Sequence, residues 1–159
     1  MPRKLYMGTF MLIVGIILLD QISKIAVRSF MTEGQSISVI KGFFSITYIE
    51  NRGVAFGLLS KHEWVVIALQ LIVVIVVLIL FLKMRGKSRL FDFALAIILA
   101  GGIGNIIDRL IKGSVTDMLS FSIFPPVFNV ADIGVTVGCA LIILDLILDI
   151  SREKKNREI

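Results

Sequence analysis

Long apolar runs alternate with short polar ones along this chain. Met7 to Leu19 contains only apolar or small residues, inside a first stretch covering about 5–29. Trp64 to Leu82 is interrupted by Gln70 alone, within a stretch covering about 64–82. A third stretch covers about 91–111 and a fourth about 130–150. A helix needs about 20 mostly apolar residues to cross a hydrocarbon core about 30 Å thick, and each stretch approaches that length. The pattern predicts an α-helical integral membrane protein: four transmembrane helices in one membrane domain, 1–159. The segment between the first two helices, about 30–63, reads differently. Ser36–Ile40 and Phe43–Ile49 are rich in β-branched and aromatic residues, and Lys41-Gly42 separates them, which predicts a small β-hairpin or sheet.

Composition agrees with membrane residence. The 159 residues are 57% hydrophobic, and the mean hydropathy of +0.93 exceeds what the interior of a soluble domain can absorb. A net charge of +5 could point to nucleic acid, but the basic residues border apolar runs, as membrane anchoring requires, so no nucleic-acid partner is expected. Arg3 and Lys4 precede the first span, Lys83, Arg85, Lys87 and Arg89 join the second to the third, and Arg152, Lys154, Lys155 and Arg157 end the chain. Those segments are expected in the cytoplasm, with both termini inside and the β region outside. Asp20-Gln21-Ile22-Ser23-Lys24 follows the apolar run ending at Leu19, where a cleavage site would stand, so the first span reads as a retained anchor. The single Cys139 excludes an intrachain disulfide. One cysteine and one histidine, His62, make a zinc site implausible, and neither metal nor cofactor is expected.

Depth then sorts the polar residues. Asp20 lies 15 residues beyond Leu5, about 22 Å along a helix. Asn105, Asp108 and Arg109 close the third span, Asp132 opens the fourth, and Asp117 lies in the loop between them. Residues remote in sequence thus reach one depth, near the outer boundary. Asp20 and Lys24 stand at i,i+4 and can pair, while Asp108 and Arg109 are adjacent and need separate partners. Asn51, Asn105 and Asn129 suit caps or turns. Gly101, Gly102 and Gly104 suit close helix packing better than a phosphate cradle. Asp117 and Asp132 have no evident local basic partner, and Pro125-Pro126 is expected to form a stiff turn that returns Asp117 toward the span. Two adjacent carboxyls cannot both ionise cheaply, so one holds a proton while the other acts as base. Asp145 and Asp149 form a rival pair, read as interfacial or water-facing beside Arg152 and Lys154.

These residues carry a resemblance. Asp20-Gln21-Ile22-Ser23-Lys24, Asn51-Arg52-Gly53-Val54-Ala55-Phe56-Gly57, Gly101 to Arg109, Val115-Thr116-Asp117 and Phe128 to Asp132 occur in the order found in bacterial lipoprotein signal peptidases (type II signal peptidases), which the whole chain resembles. The resemblance implies an aspartyl endopeptidase of the bacterial plasma or inner membrane. Such an enzyme removes the signal peptide from diacylglyceryl-modified prolipoproteins, cutting just before the lipidated cysteine. It implies Asp117 and Asp132 as the catalytic pair. Asp20, Lys24, Asn51, Gly53, Gly104, Asn105, Asp108, Arg109, Asn129 and Ala131 would then shape or support the site. The expected partners are lipid-modified prolipoprotein signal peptides and membrane lipids, and the chain is expected to act as a monomer. The outer β region together with the stretch around Asn51 to Leu59 is expected to cover the site as a lid. Met118 stands where phenylalanine is common in the family, and Val54 where alanine is, which touches pocket shape rather than chemistry.

Two other classes compete on the residues alone. A small transporter or proton relay also uses intramembrane Asp, Lys and Arg, but would carry polar residues through the full depth, where span two offers only Gln70. A non-enzymatic assembly subunit would tolerate loss of both aspartates.

Overall fold

The computed structural model describes residues 3–53, 63–84 and 86–157. Four helices, α1 (Arg3–Phe30), α2 (Glu63–Met84), α3 (Arg89–Lys112) and α4 (Val130–Arg157), are each long and apolar enough to cross a membrane. Between α1 and α2 lie β1 (Ser36–Ile40) and β2 (Phe44–Asn51), and between α3 and α4 lie β3 (Val115–Phe121) and β4 (Phe124–Phe128). The strands form one antiparallel sheet in the order β1-β2-β3-β4. The expected hairpin is therefore half of a larger sheet, drawn from both connections at one end of the bundle.

Helix α3 is the axis, packed on α1, α2 and α4 and buried along most of its length. Its glycines make that possible. A methyl group at Gly101 would collide with the Ala131 carbonyl, and one at Gly104 would come within 2.7 Å of Asp20 Oδ2. Small residues let helix backbones approach where lipid supplies no hydrophobic drive to pack. Helices α1, α2 and α4 turn residues such as Phe10, Ile75 and Leu146 outward, a surface suited to acyl chains rather than water.

Helix ends aim the site. Ser88 caps α3, its side chain accepting from the Phe91 N–H at 2.9 Å. At the other end Gly113, in the left-handed region at φ 76°, donates to the Arg109 carbonyl and turns the chain directly into β3. Pro125 and Pro126 depart from expectation. They lie within β4, not in a stiff turn, and β4 is an edge strand, where a missing N–H donor costs no interior ladder bond. The tight turn falls earlier, at Ser122-Ile123.

Asp145 also departs. It is buried rather than water-facing, and Ser88 Oγ donates to its Oδ1 at 2.5 Å, which ties α4 to the cap of α3. Asp149 does face solvent, with Lys87 at 3.2 Å and Arg152 at 3.9 Å. The i,i+4 pair is split between two roles by a contact from another helix.

Candidate active site

Asp117 comes from the middle of β3 and Asp132 from the first turn of α4, and Asn129 joins them. The Asn129 Nδ2 group donates to Asp117 Oδ1 at 2.7 Å. Its Oδ1 accepts the Asp132 N–H at 2.9 Å while Asp132 Oδ2 accepts the Asn129 N–H at 3.3 Å. That reciprocal pair is a capping box, and it fixes the start of α4 and the Asp132 carboxylate together. Asn51, at the end of β2, donates through Nδ2 to Asp117 Oδ2 at 2.9 Å and accepts the Gly53 N–H at 3.0 Å. Asn105 donates through Nδ2 to Asp132 Oδ1 at 2.7 Å.

The direction of the Asn105 amide is imposed from behind. Lys24 Nζ lies 2.9 Å from Asn105 Oδ1 and 2.8 Å from Asp20 Oδ2. An ammonium has donors only, so it selects the oxygen of Asn105 and leaves the NH₂ for Asp132. The outcome is symmetrical: each of the four carboxyl oxygens of Asp117 and Asp132 receives one N–H. Those partners are all donors here, so none of them is placed to take a proton from either carboxyl. Burial pushes the Asp117 carboxyl up to about 6, the Asn51 bond pulling against this, Asp132 adding to it and Asn129 opposing it. Asp117 can thus hold or lose a proton close to neutrality.

The remaining expected residues surround this core. Asp20 Oδ1 accepts the Ala131 N–H at 2.9 Å, and the Gly104 carbonyl accepts from Gln21 Nε2 at 3.0 Å. Asp108 accepts the Thr116 N–H at 3.1 Å and lies 3.6 Å from Lys24 and 3.5 Å from Arg28. Arg109 points the other way, as adjacency on a helix requires. Its guanidinium donates to Gln70 Oε1 and, at 2.7 Å, to the Gly53 carbonyl, while buried Nε has no hydrogen-bond partner among the described residues. All twelve expected residues therefore gather at the sheet end of the bundle. Gln70, Arg28, Thr116 and Glu50 join them without having been singled out. Gln70 had a signal, as the one polar residue of the second span, and Thr116 stood within Val115-Thr116-Asp117; Arg28 and Glu50 had none. The part of the expected lid from 54 to 59 lies outside the described residues.

Asp117 and Asp132 open on a cavity of about 760 Å³. Asn51, Gln70, Asn105 and Arg109 share their end of it, and the rest is apolar, walled by residues such as Leu69, Val73, Ile98 and Phe128. Among the described residues no group of three or more His, Cys, Asp or Glu is placed to hold a metal ion.

Fold and site together define a polytopic membrane protein with a buried carboxyl pair at the head of an apolar cavity. The family model described as signal peptidase (SPase) II matches residues 12–148, and the chain belongs to that family of membrane proteases. The lipoprotein signal peptidase of Brevibacillus brevis is 38% identical over 95% of this chain and 100% of its own length. That of Staphylococcus aureus is 35% identical over 100% of this chain and 99% of its own. A solved structure described as a bacterial membrane enzyme superposes with a TM-score of 0.85 at 32% identity, covering 91% of this chain and 90% of that one.

Proposed function

We propose that this chain is an intramembrane aspartyl endopeptidase that removes the signal peptide from diacylglyceryl-modified prolipoproteins, cutting just before the lipidated cysteine. Family membership supports signal-peptide cleavage of prolipoproteins. The observation that carries the catalytic assignment is the pair Asp117 and Asp132, both facing one cavity and both bound through Asn129.

In the proposed reaction the pair begins with one proton. The ionised carboxylate takes a proton from water as the water oxygen bonds to the scissile carbonyl carbon. The protonated partner gives its hydrogen to the carbonyl oxygen, producing a gem-diol. Collapse breaks the C–N bond, the amine nitrogen takes one carboxyl proton, and the departing diol proton restores the single proton on the pair. The N–H donors on all four oxygens hold both acids in place, and none of them is placed to take that proton. Because the two acids share it, their titration belongs to the pair.

The cavity supports the substrate class. Its apolar walls suit a hydrophobic signal peptide and acyl chains, and its polar end suits an extended backbone, with Arg109 and Asn51 near the acids. The basic segments support a cytoplasmic side for both termini and the α2–α3 connection, and with it an outer face of the bacterial plasma or inner membrane for the sheet and the carboxyl pair. One chain supplies both acids, consistent with a monomer acting as one membrane domain.

The test uses the purified chain in detergent with a prolipoprotein bearing a diacylglyceryl cysteine, a chelator present, and mass spectrometry of the products. Cleavage at the bond preceding the lipidated cysteine is expected, with the unlipidated precursor cut far more slowly. Equal cleavage of both precursors, or arrest by the chelator, would overturn the reading.

A further inference from the structure

Glu50 precedes Asn51 and points to the opposite face of β2. In the β2–β3 register Glu50 faces Thr116, while Asn51 faces Val115 and Ile49 faces Asp117. Strand alternation therefore puts Asn51 and Asp117 on one face, and Glu50 and Thr116 on the other. On that second face the Glu50 carboxylate collects donors from three elements. Tyr48 of its own strand donates at 2.8 Å, Thr116 donates from the start of β3 and Ser114 from the residue before that strand, and Lys112 reaches it from α3 at 3.1 and 3.2 Å. Thr116 Oγ1 in turn accepts from Lys112 at 2.7 Å and from Arg28 of α1 at 2.9 Å, and both cations approach Asp108. Burial works against the Glu50 charge, yet the bonds from Ser114, Tyr48, Lys112 and Thr116 prevail and hold its carboxyl below the usual range. Burial, aided by Glu50, pushes the Tyr48 hydroxyl up to about 12.

We propose that Glu50 is a positioning residue of the peptidase site: its carboxylate pins the end of β2, so that Asn51 donates to Asp117 and the Gly53 carbonyl meets Arg109. Three peptide bonds separate Glu50 from Gly53 and link the clamp to the site, and a hydrogen bond from the Gly53 N–H to Asn51 Oδ1 makes that link stiff. Releasing Glu50 lets the strand end move away from β3, and the Asn51 amide leaves Asp117. The anion of Asp117 then loses a donor, which favours its protonated form. Catalysis by Asp117 is the reading on which the functional part rests, whereas the clamp itself is testable without turnover.

The experiment compares wild type, Glu50→Ala, Glu50→Gln, Asn51→Leu and the double variant Glu50→Ala/Asn51→Leu, each checked for folding by size exclusion in detergent. Glu50→Gln keeps the side-chain volume and carries the test where the alanine variant does not fold. The titration of Asp117 is read from its carboxyl ¹³C signal, assigned with Asp117→Asn, beside kcat and KM on the lipidated precursor across pH. Loss of the Glu50 charge is expected to raise the Asp117 midpoint by about one pH unit, the scale of one charge-assisted hydrogen bond. A fall of about ten-fold in kcat with KM little changed is expected beside it. In the Asn51→Leu background the Glu50 substitution is expected to add nothing. An unmoved Asp117 midpoint in both Glu50 variants, or effects of Glu50→Ala and Asn51→Leu that multiply, would overturn the inference. Full activity of Asp117→Asn would instead overturn the catalytic reading, and with it the functional half of this one, leaving the NMR arm to decide the clamp.

Discussion

Replacing Lys24 with methionine separates what holds this fold from what orients its acids. The Lys24 side chain is 0% exposed, and its ammonium lies 2.8 Å from Asp20, 2.9 Å from Asn105 Oδ1 and 3.6 Å from Asp108. Methionine keeps most of the volume and removes the charge. Asp108 retains Arg28 at 3.5 Å and Lys112 at 3.9 Å, so the uncompensated group is Asp20, whose remaining donors are the Ala131 N–H and Gln21. Stranding one member of a buried pair costs about 3–5 kcal/mol. At 2–4 °C per kcal/mol for a chain of this size, the unfolding midpoint in detergent should fall by about 10 °C. Asp20→Asn in the same chain removes the stranded charge, and since neutral replacement of both partners is often tolerated, the double variant should recover most of that loss. Activity should not follow. Without the ammonium Asn105 Oδ1 keeps only the longer bond from Asn129 Nδ2, at 3.1 Å, so its NH₂ is held less firmly toward Asp132, and kcat on the lipidated precursor should stay about ten-fold low in both variants. The assay pairs thermal unfolding with steady-state cleavage. A single variant as stable as wild type, or a double variant that regains activity along with stability, would refute the reasoning.

Three further outcomes follow from the same geometry. Gly104→Ala brings a methyl within 2.7 Å of Asp20 Oδ2 and 3.3 Å of Ala131 Cβ, so α1 and α4 must shift; a loss of about 1–3 kcal/mol in unfolding experiments and reduced cleavage are expected. Asp145→Asn can keep the Ser88 bond and lies at the far end of α4, so cleavage of the precursor should continue at close to the wild-type rate. Below a pH of about 6 Asp117 is protonated and above it ionised, so one limb of the pH–rate profile should fall near that value. Asn51 donates to the anion, so Asn51→Leu should move that limb to higher pH by about one unit; a shift to lower pH would contradict the hydrogen-bond direction.

The helices were legible because membrane crossing demands long apolar runs whatever their neighbours. The β1–β2 hairpin was legible from alternation around Lys41-Gly42. β4 was not: Pro125-Pro126 reads as a turn, and only its place at the sheet edge, a tertiary fact, makes it a strand. Depth along each span brought Asp20, Asn105, Asp108 and Asp132 to one end, since helical rise is fixed, and Asp117 followed from the connection between the last two spans. Depth says nothing of direction, so it did not reveal that Lys24 orients Asn105, or that Arg109 turns to Gln70 and Gly53. Asp145 looked solvated because its i,i+4 neighbour Asp149 and the nearby cations dominate the local sequence. Its real partner, Ser88, lies 57 residues away.

Single-turnover cleavage of the lipidated precursor by wild type, Asp117→Asn and Asp132→Asn, at equal enzyme folding and occupancy, bears most directly on the proposal that the two carboxyls share one proton. Both variants should bind the precursor and leave the scissile bond intact at least a thousand-fold longer than wild type, the scale set by losing a positioned acid or base together with its partner's function. Cleavage at the wild-type rate by either one would show that the two carboxyls do not act as a unit.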